Sequence, residues 1–123
     1  MLVTTSKSAI RETYISRRPD AGVMVWIWAI LLGMVLISQI DWHQWRGLET
    51  WFSASRETAF HQHQYWRLWT TLFVHGDLQH LLSNAWMFFV FSYFVGGYFG
   101  VWVYPVGAIF FGGVINAVVI SGM

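Results

Sequence analysis

A chain of 123 residues that is 56% hydrophobic, 20% aromatic and only 11% charged does not read as a soluble domain, which would carry about 25% charged residues. The net charge of +1 points to no particular partner, and none of the nucleic-acid kind is expected. With no cysteine, disulfides, thiolate nucleophiles and Cys-ligated zinc are excluded.

In chain order, a basic tail comes first. Lys7, Arg11, Arg17 and Arg18 stand against Glu12 and Asp20, and residues 1–20 read as a cytoplasmic N-terminal tail by the positive-inside rule. Residues 21–40 are uncharged, and as a helix they reach roughly 30 Å, the hydrocarbon thickness of a bilayer. A signal peptide would have an apolar core of about 7–15 residues and a small-x-small cleavage site. Ser38, Gln39, Ile40 and Asp41 offer none, so this is a retained first span.

Residues 41–77 form the connection to the next apolar stretch. Trp42, Trp45, Leu48, Trp51 and Phe52 recur mostly at three-residue steps, which lines one helical face with aromatics. Trp favours the headgroup boundary, so the expectation is a short amphipathic helix lying in the outer interface. A helix packed on its own protein is the alternative. His61 and His63 raise the question of zinc, but His-x-His points both rings one way only on a strand. No carboxylate is spaced to complete a ligand set, so an exposed loop is expected, with no metal and no cofactor.

From residue 78 to the end the chain carries no Lys, Arg, Asp or Glu. One helix of that length would run roughly 69 Å, more than twice a bilayer, so the chain must turn back. Gly96, Gly97 and Gly100, with Pro105 after them, mark the hinge. Spans are therefore expected near 78–96 and 101–121, giving an all-α integral membrane protein with three transmembrane helices and a membrane domain over 21–123. The connection then lies outside, as does the C-terminus.

The start of the second of these apolar stretches is where polar groups concentrate. Ionisable side chains cost several kcal/mol at membrane depth, so a cluster of them marks a functional site by default. Asp77 fits an N-cap, a short acceptor directly before an apolar helix whose first N–H groups lack partners. His75 then sits in the turn above, while His80 and Asn84, four apart, share a face. Taken singly, an intramembrane His or Asn can simply hydrogen-bond a neighbouring helix. Together they form a polar notch, opening outward and closed below by Trp86, Met87, Phe88 and Phe89.

The segment His75-x4-His80-x3-Asn84, preceded by Trp66-Arg67, resembles the rhomboid family of intramembrane serine proteases over residues 20–123. The resemblance implies a partial rhomboid-like bundle, the first three of six core helices. It implies oxyanion stabilisation by His80 and Asn84, a structural role for His75, and anchoring of the connection in the outer leaflet by Trp66 and Arg67. The family's Gly-x-Ser-Gly nucleophile and its histidine base have no counterpart here; Ser121-Gly122 lacks the first glycine. Where the family commonly has Gly, Glu and Gly at four-residue steps, this chain has Ser92, Gly96 and Gly100, a small-residue spacing that lets helices approach closely. Gly107, Gly112 and Gly113 are the expected partners of that stripe, with Asn116 as an interhelical hydrogen bonder.

Three functions follow. The first is the N-terminal portion of a rhomboid-type endopeptidase acting on transmembrane substrates, inactive alone because a serine needs an adjacent base. The second is a non-catalytic relative that binds transmembrane helices. The third is a small membrane subunit that needs a partner chain, which brings the missing half. In each case the chain is a multi-pass protein in contact with the lipid bilayer, of a plasma or bacterial inner membrane, with a cytoplasmic N-terminus.

Overall fold

The computed structural model describes Thr13 and residues 16–122, and among them every regular element is helical. Most of the basic tail, Lys7, Arg11 and Glu12 included, lies outside the described residues.

Helix α1 (Val23–Trp42) carries the first apolar run. Val23, Ile27, Met34 and Ser38 are its buried stripe, a set of positions that fall on one side of a 3.6-residue helix. The rest of its surface is equally apolar but exposed, with Val25, Trp26, Trp28, Leu32 and Leu36 all facing outward. A helix that is hydrophobic all round requires an apolar environment on every side. Both α1 and the segment Trp102–Gly122 are long and apolar enough to cross a membrane.

The connection is not the regular amphipathic helix its three-residue spacing suggests. Trp45–Trp51 runs as 3-10 turns, interrupted where Arg46 (φ 56°) and Gly47 (φ 77°) take left-handed conformations. Glycine enters that region without the Cβ clash other residues meet, so the chain breaks there instead of continuing. A π turn (Glu57–His61), the short helix α2 (Arg67–Thr70) and a 3-10 turn (Thr71–Phe73) complete the connection. His61 and His63 are exposed.

Helix α3 (Leu78–Phe91) continues through a π turn (Ser92–Gly96) into α4 (Gly97–Phe99). Gly96 and Gly97 keep right-handed helical angles, so the hinge is not spread over residues 96–100. It begins at Gly100, with φ 95° and nothing near its missing Cβ. Gly100 is therefore a turn residue, not a packing one, and this corrects the small-residue stripe. Ser92 and Gly96 do pack. Both are buried, and a Cβ on Gly96 would collide with the Tyr104 carbonyl and with Val23 Cγ2. Gly97 holds the other end of the molecule, its carbonyl accepting the Asp20 N–H at 2.8 Å.

Helix α5 (Gly107–Gly122) starts after an extended Tyr104 (φ −151°) and Pro105. Gly112 and Gly113 meet the connection and not the stripe on α3, and Gly107 faces the Trp102 carbonyl of its own preceding turn. Leu72 lies 2.9 Å from where a Gly112 Cβ would be, and the Trp69 indole fills the space a Gly113 side chain would need. Asn116 completes the clasp by donating from Nδ2 to the Leu68 carbonyl at 2.9 Å. α1 packs on α3, and α5 packs on α2. Between these two pairs a cleft remains.

Candidate functional site

Asp77 sets the start of α3. Its backbone is extended (φ −155°, ψ 171°) and its carboxylate accepts the His80 N–H at 2.8 Å, satisfying one of the amides that a helix start leaves unpaired. Leu81 in the same turn is buried and ties the helix end to the core. His80 and Asn84 then stand one turn apart on one side of α3.

His75 sits directly above them, 2% exposed. Its Nδ1 lies 3.0 Å from the Phe73 carbonyl and 3.2 Å from the Ser38 hydroxyl, while its own carbonyl accepts the Trp42 indole N–H at 2.6 Å. Burial pushes its pKa below the ordinary 6.5; the bond to the Phe73 carbonyl acts the other way, and nearby His80 adds to the lowering. His75 is thus a neutral, fixed ring. It packs edge-on against His80, with ring centroids 5.3 Å apart and planes at 77°.

His80 and Asn84 are different in kind. Both are exposed, and neither the imidazole nor the carboxamide makes a hydrogen bond among the described residues. Asn84 lines a cavity of about 290 Å3, along with His75, Ile30 and Met34 of α1, Phe88 and Phe91 of α3, and Ala108 and Ile109 of α5. The walls are apolar apart from His75, Asn84 and Tyr104. Asn84 therefore brings an unspent amide donor to the wall of an apolar cleft, and His80 stands exposed one turn before it on the same helix.

Trp66 and Arg67 serve the connection itself. Arg67 is buried, donating from Nε to Gln64 Oε1 at 2.5 Å and from Nη1 to the carbonyls of Thr50 and Ser53, the latter at 3.0 Å. Thr70 adds a bond from its hydroxyl to the Phe52 carbonyl at 2.9 Å. The Trp66 ring stacks on Trp51 at 6.3 Å. The guanidinium therefore points into the protein, where its fork satisfies loop carbonyls, and only the half-exposed Trp66 faces outward.

Ser83 and Ser121 donate back to their own helices, and Ser92 is wholly buried. Ser38 and His75 are a serine and a histidine in contact, but Nδ1 also faces the Phe73 carbonyl, which only accepts, so that nitrogen carries a proton and is no base. Ser38 and Trp42 are the site residues that spacing could not reveal, since they lie on another helix. A lone hydroxyl near the end of an apolar run was the available signal.

The Rhomboid domain family model matches residues 62–122, from the second half of the connection through α5. No curated protein and no solved structure matches the chain. Trp66, Arg67, His75, His80 and Asn84 all fall inside the matched segment, and this match to the Rhomboid domain over residues 62–122, with two helices apolar enough to span a bilayer, points to a rhomboid-like membrane protein.

Proposed function

We propose that this chain supplies the oxyanion side of a rhomboid-type intramembrane serine endopeptidase. His80 and Asn84 donate to the oxygen that becomes negative when a serine attacks a peptide carbonyl of a transmembrane substrate. The serine and its histidine base come from helices outside this sequence, whose apolar side chains would fill the cleft between α3 and α5. The observation that carries this reading is that His80 and Asn84 are unspent one turn apart on α3, with Asn84 lining the cleft, while His75 beside His80 is locked in place.

In the membrane the protein crosses three times, at α1, at the continuous helical run 78–99 and at α5. That run has a length of roughly 33 Å, enough for the hydrocarbon layer. The exposed Trp45 and Trp51 dip into the outer headgroup region, and Arg17 and Arg18 keep the N-terminus cytoplasmic. This puts the notch on the outer face, in a plasma or bacterial inner membrane.

The test is to express the chain alone and together with the serine- and histidine-bearing helices of a rhomboid protease. A fluorophosphonate probe and a transmembrane reporter substrate give the readout. The chain alone is expected to show neither labelling nor cleavage, and the pair to show both. A pair that assembles but does neither would favour a non-catalytic role in binding transmembrane helices.

A further inference from the structure

The cleft between α3 and α5 holds a polar group that neither the oxyanion pair nor the packing of the chain uses. Tyr104 stands before α5 with an extended backbone (φ −151°, ψ 130°). Gly96 lets the Tyr104 carbonyl lie against the helix, since any Cβ there would strike it, and the buried Pro105 fixes the residue that follows. The Tyr104 ring lines the cleft, its centroid 5.8 Å from that of Phe88 and 6.3 Å from that of Phe91. Its hydroxyl makes no hydrogen bond among the described residues. With three crossings, Phe88 lies near the midpoint of the run 78–99, so the phenol sits inside the hydrocarbon layer and not at a headgroup boundary, where a tyrosine hydroxyl is ordinarily wet. An unpaired polar group at that depth carries a free-energy cost that a lipid chain cannot offset. Water is a poor substitute, because an ordered water needs about two to four polar partners and the two rings beside the phenol offer none.

We propose that Tyr104 is the polar anchor of the cleft: its hydroxyl donates to an acceptor side chain on a transmembrane helix that lies across the cleft mouth, and that helix belongs to the serine- and histidine-bearing half. This rests on the function proposed above. An oxyanion donor must come within about 3 Å of the oxygen it stabilises, and Asn84 lines this same cleft, so the helix that brings the serine has to pass its mouth. One helical turn, about 10 Å across and about 5.4 Å long, occupies roughly 420 Å3. That exceeds the cavity of about 290 Å3, so side chains enter it and the backbone stays outside. The partner is therefore a helix with apolar residues against Phe91 and Ile109, and one Ser, Thr, Asn or Gln level with Tyr104. A lipid acyl chain or a wholly apolar helix could cover the same walls but would leave the hydroxyl unpaired. Asn84, one turn above Phe88, stays free for the oxyanion.

The test measures, in micelles, how tightly this chain binds the serine- and histidine-bearing half of a rhomboid protease, by energy transfer between labels on the two. Wild type is compared with Tyr104→Phe, which keeps the ring and removes only the hydroxyl. The variant is expected to weaken assembly about 3- to 18-fold, the range for one interhelical hydrogen bond in a membrane. It should leave the thermal unfolding of the chain alone unchanged, because no described residue uses the hydroxyl. Equal binding by the variant, or a lowered unfolding midpoint of the chain alone, overturns the proposal. So does self-association of the chain alone that Tyr104→Phe abolishes, since the occupant is then a second copy. A wild-type pair that neither assembles nor cleaves a transmembrane reporter fails the functional reading and this proposal with it. A complemented protease that cleaves, and binds equally well with Tyr104→Phe, fails this proposal alone.

Discussion

Arg67 and His75 show how single side chains hold this site. Arg67 turns a charge that would be costly near the membrane into an internal brace, because its planar fork reaches Gln64 and two loop carbonyls at once. Arg67→Ala leaves those carbonyls to find water and is expected to cost about 1–3 kcal/mol, seen as faster amide exchange and proteolysis across residues 50–53. Arg67→Lys should not restore protection, since an ammonium cannot reproduce the fork. His75 makes stability depend on pH in a definite direction. Burial lowers its folded pKa below the ordinary 6.5, so as pH falls through about 6.5 the unfolded chain takes up a proton that the folded chain does not. Stability therefore declines with acidification over that window and levels off below the folded pKa. Unfolding midpoints in micelles at pH 7.5 and 5.5 should fall further for the wild type than for His75→Gln.

Among the elements, α5 and the connection depend on each other. Trp69 occupies the space over Gly113 and Leu72 that over Gly112, with Asn116 bonded to the Leu68 carbonyl. Gly113→Val overfills this contact and should destabilise by about 1–3 kcal/mol. Pairing it with Trp69→Leu should recover part of the loss, a coupling that a double-mutant cycle in thermal unfolding measures. Little of this clasp is legible in the sequence. The helix start at Asp77 can be read there because capping is local, a short acceptor before an apolar run. That the regular structure of the described residues is helical follows from long uncharged stretches. Gly96, Gly97 and Gly100 cannot be told apart from sequence, since glycine serves both close packing and left-handed turns; only the structure separates Gly96 against Tyr104 from Gly100 at φ 95°. The three-residue aromatic spacing after α1 fits a 3-10 turn as well as a helix face, and Arg46–Gly47 decides against the short regular helix expected there. Ser38 meets His75 across 37 positions, a separation that no periodicity encodes.

For the molecule as a whole, the two packed pairs, α1 on α3 and α5 on α2, leave a cleft of about 290 Å3 with Asn84 on its wall and much apolar surface facing outward, including Trp86, Phe91, Phe110, Phe111 and Ile115. On the function proposed above, lipid and the serine- and histidine-bearing helices share the covering of that surface. The central claim is that His80 and Asn84 act on the transition state and not on folding. The measurement that tests it most directly is the cleavage rate of a transmembrane reporter by the complemented protease, comparing wild type with Asn84→Ala and His80→Ala at matched assembly. Each variant is predicted to lose about 100- to 1000-fold in kcat, as expected when one oxyanion donor is removed. Cleavage at the wild-type rate in both variants would contradict the account.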